Sequence, residues 1–433
     1  MSISEKSFQF KIESTTATTL VATVIVSANL IDTIYDLATK EQVHNVTPQG
    51  FRKGNAPCCY IAENLKQDLQ DHLKEFLFNF KIINFLYEEL IENKISFSED
   101  PVLTNIKLHK GQEAEYVFHV KPSRTIALQG WKRFPFQTPK RKNYKDLDKQ
   151  VKIFLKEELC LTENCVLDTV QEGDWVNFEI AILKDDGSPL HPDLVSEFWI
   201  KVGNEEIDLP FTQIFLNKKI GQNFCSQAEM LQNFFSATLD TNYKFQIKIN
   251  DIVNNLELSL EDFKRHFRIK TNKELHNKLI EVFSQRNDQT QRRETVEEAL
   301  KLLLSKHPFE IPSEIVKKQG NIIVENIKKT PDFNVYKTQK GFEKQIEKLA
   351  EKQIKQTVFI DQLAFHENIK LTQTDIRGYL NLTKRIKTKE LIHFSPPDGA
   401  INYQESPIPS AIIKQSCLRE KTLNHALYHL TRK

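Results

Sequence analysis

Residues 58–95, CCYIAENLKQDLQDHLKEFLFNFKIINFLYEELIENKI, carry apolar side chains at Ile61, Leu65, Leu69, Leu73, Phe76 and Phe80. Steps of three and four residues put all six on one face of a helix, and such a stripe must be buried against something. Strand-like partners lie on both sides of it. FQFKIE (8–13) and TLVATVIVS (19–27) alternate or cluster β-forming residues, and ANLIDTIYDLATKEQV (28–43) returns to helical spacing. NIKLHKGQEAEYVFHVKPS (105–123) reads as strand around a Lys-Gly turn. Residues 1–115 therefore predict an α+β unit.

The rest of the chain changes texture twice. YKDLDKQVKIFLKEELC (145–161) predicts an amphipathic helix. GDWVNFEIAILKDDGSPL (173–190) is a strand running into an Asp-Gly turn, and EFWIKVG and YKFQIKINDIV add strands, so 163–252 predicts a compact β-rich module. From Leu258 onward the pattern is helical, opening with Ser259 as an N-cap and Asp262 three residues later. A break at 394–409, FSPPDGAINYQESPIP, precedes a last helix. At 433 residues the chain exceeds one ordinary core, which fits an α+β multidomain layout with a helical C-terminal body. Residues 116–162 read as a linker and a helix belonging to that body, 253–433.

Charge and cysteine content narrow the function classes. Lys and Arg number 60 against 58 Asp and Glu, so no global nucleic-acid signature exists, although a local patch is compatible with the balance. The six cysteines, Cys58, Cys59, Cys160, Cys165, Cys225 and Cys417, are scattered and make no disulfide framework, which points to a reducing, cytoplasmic setting. The run at 19–30 lacks the basic flank of a signal peptide, and no run approaches the ~20 residues of a membrane span. His425 and His429 sit four apart on the last helix without an obvious third ligand, so no metal is expected there. No phosphate-binding Gly-rich loop or dinucleotide fingerprint is present, and no cofactor is implied.

The most specific short stretch is QGFRKGNAP (49–57). Gly50 and Gly54 permit backbone angles closed to other residues, and Pro57 suits the first turn of the following helix. Between the glycines stand Phe51, Arg52 and Lys53, an apolar anchor with two cations. Such a tip fits docking to a carboxylate- or phosphate-bearing partner. The bland alternative is a solvated turn with Phe51 folded back on the helix. Two phosphate contacts alone give little affinity at physiological salt, which argues against free nucleic acid as the main partner.

GFRKGNAP, with two strands and a helix before it and a long helix after it, resembles the ribosome-docking signature of bacterial trigger factors. The order of units resembles that family over nearly the whole chain, with LQG (128–130) and LELSLEDFKRHFRI (256–269) at the passages into the body. The resemblance implies an ATP-independent chaperone. Phe51, Arg52 and Lys53, hinged by Gly50 and Gly54, would contact a ribosomal protein and nearby RNA at the nascent-chain exit. It further implies a helical cradle receiving unfolded nascent polypeptides, no membrane contact, and leaves open a homodimer off the ribosome.

By the same resemblance the middle module is an FKBP-type prolyl isomerase. X-Pro rotation faces ~18–20 kcal/mol and needs an apolar pocket rather than a nucleophile. Phe198 and Phe211 fall at aromatic wall and floor positions, Phe245 at a further wall position and Ile207 beside the floor; Phe234 or Phe235 stands near the flap tyrosine. The departures matter. DLPFTQ (208–213) replaces an Ile-Pro-Gly-Phe-Glu stretch, placing Asp208 and Pro210 in the floor, and Ile180 and Leu190 replace aromatics. An acid there opposes desolvation, so any activity is expected to be weak. The competing classes are an isomerase with accessory domains and a non-enzymatic adaptor.

Overall fold

The computed structural model describes residues 6–16, 19–138, 149, 151–152, 168–254, 260–284, 291–329, 333–384, 391–397, 400–401 and 404–432. The helix expected at 145–161, Cys160, Cys165 and the Ser259 cap lie largely or wholly outside these residues.

The N-terminal unit is an antiparallel sheet of β1 (Phe8–Thr16), β2 (Thr19–Val26), β4 (Ala114–Val120) and β3 (Val102–Lys107), in that spatial order. Strand β4 carries the sheet five residues past the boundary expected at 115. Alternation places Ala22, Val24 and Val26 of β2 and Tyr116, Phe118 and Val120 of β4 in the core. Against them pack α1 (Ala28–Asn45) and α3 (Lys66–Leu77) through Ile31, Ile34, Leu69 and Leu73. The stripe at 58–95 is not one helix. It divides into α2 (Cys58–Asn64), α3, a π turn (Phe78–Ile82) and α4 (Ile83–Glu92). Leu65 leaves helical geometry at φ −106° and ψ 22°, yet stays on the apolar face.

The middle module is a second antiparallel sheet, with β5 (Trp175–Ile182) between β6 (Val195–Lys201) and β8 (Phe245–Val253), and β7 (Asn223–Ser226) at one edge. At the other edge the segment Ile408–Pro409 pairs with β6, Ile408 opposite Trp199 and Pro409 opposite Phe198. The break expected at 394–409 thus crosses back to the module. A proline is tolerated there because an edge strand needs fewer ladder donors.

Both faces of this sheet are covered. Val176, Phe178, Ile180, Phe198, Ile200, Phe245, Ile247 and Ile249 join the same apolar core as α3 and α4. Trp175, Trp199 and Val253 point the other way, into the helical body beside Phe263, Tyr379, Ile413 and Cys417. Along β5 the face towards the first unit is apolar throughout, Val176, Phe178, Ile180 and Ile182, while the other face carries Asn177 and Glu179 between Trp175 and Ala181.

The body consists of helices at 260–266, 272–284, 291–306, 313–328, 333–337, 342–366, 373–384 and 410–431. The last of these, Ser410–Thr431, touches every unit: Ala411 N–H donates to Asn84 Oδ1 of α4 (2.8 Å), Lys414 pairs with Glu197 of β6 (2.9 Å), and Arg419 forks onto Asp361 with two 2.8 Å bonds. A strap after β4 ties the first unit to the body. Gln362 bonds to Ile126 N (2.7 Å) and Arg124 O (2.7 Å), and Glu367 accepts from Trp131 Nε1 (3.0 Å) and Lys132 Nζ (2.5 Å). Burial alone would raise the Glu367 carboxyl, but these hydrogen bonds and the Lys132 charge hold it near 2. No described helix is long and apolar enough to cross a membrane.

Candidate functional site

The loop at 46–57 is built as two consecutive turns. Phe51 N–H donates to Pro48 O (3.1 Å) and Asn55 N–H to Arg52 O (3.0 Å), with Gly50 at φ 92° and Gly54 at φ 82°. Both angles lie in the left-handed region, so a side chain at either position would be strained. Pro57 is the residue just before α2 rather than its first helical residue, with φ −60° and ψ 141°. Arg52 and Lys53 are exposed, and among the described residues neither has an ion-pair partner.

The Phe51 ring is folded back on the helix that follows, as the second sequence alternative has it. It is half-buried and lies 4.8 Å from the Tyr60 ring at 57°, on a small apolar cluster of Val43, Ala56 and Ile61. The cluster is separate from the main core, so the loop carries its own local anchor while the cations stay in water. Tyr60, which sequence reasoning did not single out, completes this arrangement; its signal was its place in the first turn of α2, which begins at Cys58.

The prolyl-pocket candidates are placed unequally. Phe198, Phe211 and Phe245 belong to one aromatic cluster: Phe198 to Phe235 is 5.7 Å, Phe235 to Phe245 5.6 Å and Phe211 to Phe234 6.1 Å between centroids. Ile207 stands outside it, 45% exposed. The cluster is closed by the first unit. Phe80 lies 4.9 Å from Phe235 and 6.5 Å from Phe245, and Phe76 stacks on Phe80 at 5.2 Å. Phe198 and Phe245 consequently have no exposed surface.

Asp208 is buried, and its Oδ1 accepts from Glu405 N–H at 2.8 Å, so this acid joins the module to the returning segment 404–409. A side chain on Gly203 would collide with it: a Cβ there would stand 1.9 Å from Asp208 Oδ2. Pro210 sits in the first turn of the helix 209–215, where its missing N–H costs nothing. Ile180 and Leu190 are core residues.

His425 and His429 lie 4.6 Å apart beside Trp131, and burial first of all brings His425 down to about 4. Among the described residues no three His, Cys, Asp or Glu side chains converge as metal ligands. Cys58, Cys59 and Cys225 are exposed and Cys417 is buried, all as free thiols.

Known proteins similar to this chain match both its N-terminal and its C-terminal parts. The family model described as "Bacterial trigger factor protein (TF)" matches residues 8–154, and that of its C-terminus matches 271–425. A trigger factor of Geotalea daltonii is 23% identical over 372 residues, covering 81% of this chain and 80% of that protein. A trigger factor of Haemophilus ducreyi is 23% identical over 258 residues, 58% of each chain. A solved structure of the trigger factor chaperone, described for promiscuous substrate recognition in folding and assembly, covers 98% of this chain at 16% identity and a TM-score of 0.37. With the two family models spanning well over half of its length, the chain belongs to the bacterial trigger factor family, the ribosome-associated chaperones.

Proposed function

We propose that this chain docks at the nascent-chain exit of the ribosome through Phe51, Arg52 and Lys53, and that its helical body receives unfolded polypeptide there. The observation that carries the reading is the loop itself: between two left-handed glycines, an aromatic anchor is followed directly by two exposed cations that have no ion-pair partner among the described residues. An arginine fork suits a carboxylate or a phosphate, so one tip serves both a ribosomal protein and adjacent RNA. The setting is the cytoplasm, without a nucleotide cycle. Clients leave when they bury their own apolar surface, and tethering at the exit raises the effective concentration of weak contacts.

Prolyl isomerisation is secondary in this reading. An X-Pro peptide reaches the Phe235 and Phe245 end of the aromatic cluster only after α3 and the π turn separate from the module, because Phe76 and Phe80 pack against those rings. Co-sedimentation with ribosomes tests the main reading. Wild-type protein is expected in the ribosomal pellet, and the combined Phe51→Ala, Arg52→Ala, Lys53→Ala variant in the supernatant; equal pelleting of the two would remove the docking assignment.

A further inference from the structure

The segment that joins the module's helix 229–235 to β8 is gripped along its length by the first unit. Gln42 Nε2 and Asn45 Nδ2, both on the last turns of α1, donate to the carbonyl oxygen of Asp240 at 2.6 and 2.8 Å. Glu75 of α3 accepts from Ser236 Oγ (2.7 Å) and from the Thr238 hydroxyl. Because the single Ser236 proton goes to Glu75, Ser236 accepts from His72 Nδ1–H (3.0 Å). That tautomer leaves His72 Nε2 to accept from the Tyr243 hydroxyl at 2.8 Å. Beneath this polar row, Phe76 and Phe80 stack into Phe235 and Phe245.

The place of these contacts gives them a consequence for docking. Asn45 ends α1, and the docking loop begins at the next residue. Val43, one residue from Gln42, belongs to the small cluster that seats Phe51. The loop therefore leaves from a helix end whose last turn is held by the middle module. Without that hold a C-terminal turn frays, since its carbonyls lack intrahelical donors.

We propose that the middle module of this chain is a buttress for the docking loop, with the segment 236–243 fixing the end of α1 and thereby the direction in which Phe51, Arg52 and Lys53 are presented. The proposal rests on the docking reading above. It assigns Gln42 and Asn45 as positioning residues that touch no ribosomal component themselves.

The test uses the full chain with Asn45→Ala, Asn45→Asp and Gln42→Leu, measuring ribosome affinity and the rate of tryptic cleavage after Arg52 and Lys53. Each substitution removes a donor without opening the core, since Asn45 is exposed and leucine fills the Gln42 space. Affinity is expected to fall about threefold to tenfold per lost bond. Asn45→Asp is expected to fall furthest, because its carboxylate repels the Asp240 carbonyl although its shape is unchanged. Cleavage should quicken in the same order. Wild-type affinity and wild-type cleavage in all three variants would overturn the buttress. Arg52→Ala with Lys53→Ala in the same assay separates the two ideas: if that variant still binds, the docking reading fails, and the cleavage rates alone decide the buttress.

Discussion

Replacing Phe80 by alanine probes whether the first unit and the middle module are one folding unit. The ring is fully buried, with Phe76 at 5.2 Å, Phe235 at 4.9 Å and Phe245 at 6.5 Å, so two of its three aromatic neighbours belong to the module. Truncating a buried phenylalanine costs about 3–5 kcal/mol through lost transfer energy and the cavity left behind. With a urea dependence of about 3 kcal/mol per molar, the midpoint should fall by about 1–1.7 M. The reporters are Trp175 and Trp199, which lie on the opposite face of the module sheet, against the body. Trp131 is replaced by Phe in both proteins so that fluorescence reports the module alone. A shared core requires the tryptophan transition to move with the overall loss of helix. A tryptophan midpoint that stays at its original urea concentration, while circular dichroism shows an earlier step, would refute the joint core and with it the closed aromatic cluster.

Three further outcomes follow from buried polar groups. Burial brings the His72 imidazole down to about 4, against an ordinary value of 6.5, so the unfolded chain binds its proton first as pH falls. The His72 contribution is therefore full above about pH 6.5 and is lost as pH falls towards 4, and it should account for about 2 kcal/mol of the stability difference between pH 7 and pH 5. His72→Gln should flatten chemical denaturation midpoints across that window, and an unchanged pH dependence would count against it. Arg419→Met should cost about 3–5 kcal/mol by stranding the buried Asp361 carboxylate, and the double change with Asp361→Leu should recover most of it in a thermodynamic cycle. Glu367→Gln should weaken the strap by removing the charged partner of Lys132, which differential hydrogen exchange at 124–136 would reveal.

Much of the first unit can be read from residue periodicity, because its strands alternate and its helices step by three and four. The break at Leu65 escapes that reading: the residue keeps its place on the apolar stripe although the backbone leaves the helix there. Phe76 and Phe80 were evidently buried residues, but a stripe does not record which surface covers it. Their partners proved to be rings some 155 residues away in the module. Phe198, Phe211 and Phe245 showed the same ambiguity, since a pocket wall and a core position demand the same side chain. The segment 404–409 gave no strand signal because only Ile408 and Pro409 pair with β6. In the loop at 46–57, spacing and residue type disclosed both left-handed glycines and both cations, while the seat of Phe51 on Tyr60 depended on where α2 begins.

The central proposal is that Phe51, Arg52 and Lys53 dock this chain at the ribosome. A photoreactive phenylalanine analogue at position 51 reports this directly. In free protein it should crosslink within the chain, to the Tyr60 region 4.8 Å away. With ribosomes present it should crosslink to a component at the nascent-chain exit, and that product should vanish when Arg52 and Lys53 are replaced by alanine. An intramolecular product alone, undiminished by saturating ribosomes, would contradict the account.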